Sequence, residues 1–105
     1  MKKSNDIFLM IKKSIDLTEP NATVILYGSY ARGDNRKDSD LDLLILVDRE
    51  KVTREEEKKV KYPLYDIEFA TGQIISPLVF SKKDWETRHY ITPFYENIQR
   101  EGVVL

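Results

Sequence analysis

Isoleucines at positions 7, 11 and 15, with Phe8 and Met10 beside them, repeat at the spacing of one helical face. The chain therefore opens with an amphipathic helix that should stop before Pro20. The next apolar run, Ala22 to Tyr27, contains β-branched residues and ends at Gly28, as a strand that turns sharply would. Gly28-Ser29-Tyr30-Ala31-Arg32-Gly33 then reads as a tight turn with a short helix, Asp34 to Ser39 as a polar loop, and Asp40 to Val47 as a second strand. Thr53 with Glu56 three residues on makes the capping-box pattern, which starts a long helix near Arg54. The charged run Arg54 to Lys61 mixes signs at helical spacing and describes a solvent face.

Between Lys61 and Phe80 the pattern supports two structures. Tyr65-Asp66-Ile67-Glu68-Phe69 alternates as a strand does, whereas Val60, Leu64, Ile67 and Thr71 form a helical stripe that ends at Gly72. Pro63 disfavours a straight helix across this stretch. A helix kinked or restarted at Pro63 is preferred, because Gln73 to Phe80 then makes a third strand. Ser81, with Asp84 three positions on, caps a further helix, and Thr92-Pro93 begins the last one before Gly102. Trp85, Phe94 and Tyr95 are core or partner-facing aromatics, and His89, the one histidine, has a surface or packing role.

A length of 105 residues suits a single domain, 1–105, with a modest core. With 17 basic and 18 acidic residues the net charge is −1, which gives no electrostatic footprint for a nucleic-acid backbone. DNA and RNA are therefore poor default substrates. The absence of cysteine removes disulfides and thiolate metal sites, the amino terminus lacks the apolar core of a signal peptide, and no segment could span a bilayer. A soluble cytoplasmic protein is the expectation.

The chemistry concentrates in the first half. Gly28 can turn the chain and let a ligand approach the backbone, and Ser29 can cap a short helix whose free N–H groups face phosphate oxygens. On a strand, Asp40 and Asp42 share one face while Leu41 and Leu43 point to the core. Two carboxylates beside a phosphate cradle suit Mg²⁺, which takes one or two carboxylates together with waters and substrate phosphates. Two such ions, about 3.5–4 Å apart, would activate an attacking hydroxyl and stabilise a leaving pyrophosphate. Arg32 either faces the phosphates or pairs with Asp34 or Asp38.

Gly28-Ser29-Tyr30-Ala31-Arg32-Gly33 with Ser39-Asp40-Leu41-Asp42 resembles the signature of the DNA polymerase β-type nucleotidyltransferase superfamily, in its minimal prokaryotic form. The likeness is close from Val24 to Val47 and looser over the rest. It implies a mixed α/β fold, α+β in detail, with a small mixed or mainly antiparallel sheet covered by helices. It also implies that Gly28 and Ser29 hold the β- and γ-phosphates of an NTP, with ATP expected, and that Asp40 and Asp42 hold two Mg²⁺ ions. The implied reaction moves a nucleoside monophosphate, AMP from ATP, to a hydroxyl of a protein or small molecule. Some small relatives act as antitoxins that adenylylate a helical HEPN-type toxin, so a helical partner or a homo-oligomer is implied as well. The superfamily carries a third carboxylate on the strand after Asp-x-Asp, yet Ile74 to Val79 contains no acid. Asp66 or Glu68 completes the triad if Tyr65 to Phe69 is the strand. Otherwise Ser76 takes that position, and the alternative is a catalytically weak or inactive nucleotide-binding partner subunit of a helical protein.

Overall fold

Ile7, Ile11 and Ile15 are buried along one stripe of helix α1, Lys3–Thr18, as their spacing predicts. The computed structural model describes residues 3–87 and 92–105, with side chains from Asp6 onward, so His89 lies outside the described residues. After α1 come strand β1 (Thr23–Tyr27), helix α2 (Ser29–Arg32), strand β2 (Leu41–Val47), helix α3 (Arg54–Thr71) and strand β3 (Ile75–Ser81). Helices α4 (Lys82–Glu86) and α5 (Pro93–Glu101) and a short strand β4 (Val103–Val104) follow.

The four strands form one mixed sheet in the order β3-β2-β1-β4. β1 runs antiparallel to β2 and β4, and β2 runs parallel to β3. A parallel pair needs a long crossover, and α3 supplies it. Strand β2 is central, so Leu43 through Val47 are all buried rather than alternating with solvent. Its odd-numbered residues, Leu41, Leu43, Ile45 and Val47, pack with Ile11 and Ile15 of α1 and with Val60, Leu64 and Ile67 of α3. Its even-numbered Leu44 and Leu46 pack on the other face against Trp85 and Ile98. This second face is where Asp42 lies, one pleat further toward the start of the strand.

Two expectations resolve here. The stretch Tyr65 to Phe69 is helical, part of an α3 that runs unbroken across Pro63 and ends at Gly72 in a left-handed conformation. Burial explains the tolerance of proline. Val60, Leu64 and Ile67 are buried on one stripe, at about 1.5–3 kcal/mol each, against about 3 kcal/mol for the interior proline. The aromatics of the carboxy-terminal third take the core option: Trp85 is buried, with Tyr95 at 4.9 Å and Phe94 at 5.9 Å between ring centroids.

Candidate nucleotide and metal site

The chain leaves β1 through Gly28, whose φ of 77° and ψ of −155° belong to a region that side chains resist. Gly28 is also the N-cap of α2, with its carbonyl accepting from Arg32 N at 3.1 Å. This corrects the expectation that Ser29 is the cap. Ser29 is the first helical residue, and no side-chain cap bond is made at this end of α2. The short helix closes at once: Gly33 N and Asp34 N both donate to the Ser29 carbonyl, at 3.0 and 3.1 Å.

The turn and the carboxylates are neighbours in space. Tyr27, the last residue of β1, sits opposite Asp42 in the antiparallel register. A Cβ at position 28 would collide with the Asp42 carboxylate, so the acid packs directly on the glycine. Asp42 is half-buried, and its carboxyl is raised above its ordinary value by burial first and by Asp40 second, with Arg32 pulling the other way. Tyr27 is raised in turn, by burial and then by the charge of Asp42. Asp40 is exposed at the mouth and accepts a long hydrogen bond of 3.4 Å from Ser76 Oγ. A pair of like charges repelling one another beside a backbone turn suits a divalent cation shared with phosphate oxygens.

Arg32 stands at the exposed end of α2, where it donates to Asp34 Oδ2 at 3.1 Å and to Glu101 Oε1 of α5 at 3.2 Å. Of the pairings considered for it, Asp34 is realised, while Glu101, 69 residues away in sequence, was invisible to pattern reasoning. Its charge reaches Asp42 only electrostatically.

Among the described residues, no third carboxylate joins the pair. Asp66 is exposed on α3. Glu68 Oε1 accepts from Ile75 N at 2.8 Å, which ties the end of α3 to the start of β3. Among the described residues, no group of three His, Cys, Asp or Glu side chains could hold a metal. The strand that would have aimed Asp66 or Glu68 at Asp40 is a helix, α3. Ser76 is level with Asp42 across the parallel register of β2 and β3. Sequence reasoning missed Gln73, whose side chain touches both α2 and the loop before Asp40. Contacts across 43 and 34 residues leave no local signal.

The family model described as "Nucleotidyltransferase domain" matches residues 10–98. "Putative protein adenylyltransferase MJ0141" of Methanocaldococcus jannaschii is 36% identical, with 93% of this chain and 86% of that protein covered. Two solved structures share the fold. The toxin-antitoxin with AMP-PNP superposes with a TM-score of 0.61 at 15% identity, over 98% of this chain and 72% of that one. A mutant of the toxin-antitoxin MntA-HpeT superposes with a TM-score of 0.59 at 17% identity, over 100% of this chain and 72% of that one. A glycine turn pressed against Asp42 of β2, in a mixed sheet of this topology and with this kinship, makes the chain a member of the nucleotidyltransferase domain family.

Proposed function

We propose that this protein is a metal-dependent nucleotidyltransferase that moves AMP from ATP to a hydroxyl of a protein acceptor. The observation that supports the reading is the packing of the Asp42 carboxylate directly on the Gly28 turn. Gly28 and Ser29 hold the terminal phosphates through the turn backbone and the serine hydroxyl. Asp40 and Asp42 hold Mg²⁺, which when bound supplies charge stabilisation for the phosphates and lowers the proton affinity of the attacking oxygen. The acceptor oxygen bonds to the α-phosphorus as the bond to the bridging α–β oxygen breaks. Pyrophosphate leaves with that oxygen, and the hydroxyl proton passes to solvent, because Ser76 rather than a base lies beside Asp40.

The kinship to a protein named as an adenylyltransferase supports AMP as the transferred group. The likeness in fold to toxin-antitoxin structures supports a protein partner, and in this reading the partner is a helical acceptor and this chain the antitoxin. Within that reading the 105 residues act as one cytoplasmic domain. A second reading, a nucleotide-binding partner subunit with weak or no turnover, is favoured by one observation: the residue of β3 level with Asp42 is Ser76, not an acid. The loss of a general base costs on the order of 10²–10⁴ in rate.

Calorimetry and pyrophosphate release together test both. ATP binding should require Mg²⁺ and weaken strongly in Asp40→Asn and in Asp42→Asn, with the two changes strongly non-additive because they share the ions. ATP affinity that ignores Mg²⁺ and both substitutions would contradict the site. Mg²⁺-dependent binding without pyrophosphate release, with a helical partner present, would select the second reading.

A further inference from the structure

Gln73 lies between the end of α3 and the start of β3, outside every motif that points to nucleotide chemistry, and both ends of its amide are engaged. Tyr30 Oη of α2 donates to its Oε1 at 2.7 Å. Its Nε2 donates to the Ser39 carbonyl and to the Ile74 carbonyl, both at 2.9 Å. The orientation is dictated by the partners: reversing the amide would set its oxygen against two carbonyl oxygens. Tyr30 follows Ser29 of the phosphate turn, and Ser39 precedes Asp40. One side chain thus connects the element that grips phosphate with the residue that grips metal.

The neighbouring bonds fix the same junction. Leu41 N donates to the Ile74 carbonyl at 2.9 Å, and Ser76 Oγ donates to Asp40 Oδ2 at 3.4 Å. Ser39 is further held by Arg36, whose carbonyl accepts from Ser39 N at 3.1 Å and whose N–H donates to Ser39 Oγ at 2.7 Å. Asp40 is exposed and sits at the end of a polar loop, so its position depends on these bonds rather than on burial. Helix α2 is only four residues long, and its Tyr30 and Ala31 are half-buried against the core without being enclosed, so the bond from Tyr30 adds to a small packing contact in holding it.

We propose that Gln73 is a positioning residue for nucleotidyl transfer, a latch that sets the separation between the Ser29 turn and Asp40. The assignment rests on the nucleotidyltransferase reading and extends it to a residue outside the Gly28-Ser29 turn and the Asp40 and Asp42 pair. Its chemical reason is that an in-line displacement needs phosphate and metal ligands in register, and a misplacement of about 1 Å can cost on the order of 10²-fold in rate.

Gln73→Met keeps the length of the side chain and removes its hydrogen bonds, and Tyr30→Phe removes one of them. In the metal-free protein, hydrogen exchange of Gln73→Met should rise together in residues 29–33 and 39–41 and stay unchanged in α1. In steady-state transfer, kcat should fall on the order of 10- to 100-fold with KM for MgATP little altered. Tyr30→Phe should give a smaller loss and add nothing in the Gln73→Met background. Exchange that is unchanged, or that rises throughout the protein, overturns the latch, as does an additive double variant. A wild type that shows no Mg²⁺-dependent ATP binding overturns the nucleotidyltransferase reading instead, whatever the exchange measurement gives.

Discussion

A methyl group at position 28 would land on the Asp42 carboxylate and would force a side chain into a backbone region that is almost glycine-only. Gly28→Ala should therefore cost about 1–3 kcal/mol from strain and also move Asp42, so transfer and stability fall together. Chemical denaturation beside the transfer assay checks this, and a stable, active Gly28→Ala protein would contradict the packing. Asp42 carries a second test, in pH. Burial and Asp40 raise its folded value above the ordinary 3.8, so the metal-free folded state binds its proton more tightly than the unfolded chain does. The stability contributed is complete below that ordinary value and is lost as pH rises through the raised one. Denaturation curves without metal should show this decline in the wild type and not in Asp42→Asn; equal pH slopes would contradict it.

Helix α3 and strand β3 show why a strand and a helix could not be told apart by pattern alone over Tyr65 to Phe69. Alternation and helical spacing share Ile67, and what decides between them is the buried stripe that Val60 and Leu64 complete against the sheet. The start of α3 was legible because its signal is local: Thr53 Oγ1 accepts from Glu56 N at 3.1 Å, and Glu56 Oε1 accepts from Thr53 N at 3.0 Å. Its end carries Glu68, a carboxylate that satisfies the Ile75 N–H on the outer edge of β3. Two residues on, Pro77 has no N–H to offer, so this edge is poorly suited to pairing with another strand. Glu68→Ala should cost about 1 kcal/mol without a specific effect on transfer, whereas Asp66→Asn should change stability by less than about 0.5 kcal/mol and leave transfer intact. Loss of transfer in Asp66→Asn at unchanged stability would restore it as the third acid.

Across the whole molecule, apolar surface lies elsewhere than the carboxy-terminal aromatics. Phe69 is 94% exposed, with Tyr62 and Tyr65 exposed on the same helix, while Trp85 is 3% exposed. Trp85→Ala should cost about 3–5 kcal/mol and Phe69→Ala less than about 0.5 kcal/mol, as measured by denaturant unfolding. Similar losses for the two would mean that the second core is misplaced. The net charge of −1 carries its own expectation: an oligonucleotide should show no salt-sensitive binding by fluorescence anisotropy. Among the described residues, no helix is long and apolar enough to cross a membrane.

By itself the sequence determined the elements whose signals are local: the isoleucine stripe of α1, the glycine turn, the capping box of α3 and the apolar strand β2 that carries Asp42, with Asp40 just before its first residue. Each depends on residues within a few positions, where backbone geometry and side-chain period act directly. Tertiary structure alone decided how far apart those parts lie and what completes them. The collision that glycine avoids at Asp42, the pairing of Arg32 with Glu101 and the amide of Gln73 between Tyr30 and Ser39 all join residues distant in sequence. Ser76 came level with Asp42 only when the buried face of α3 placed the crossover and set the register of β3. Long-range contacts are a property of the packed chain, and no local period encodes them.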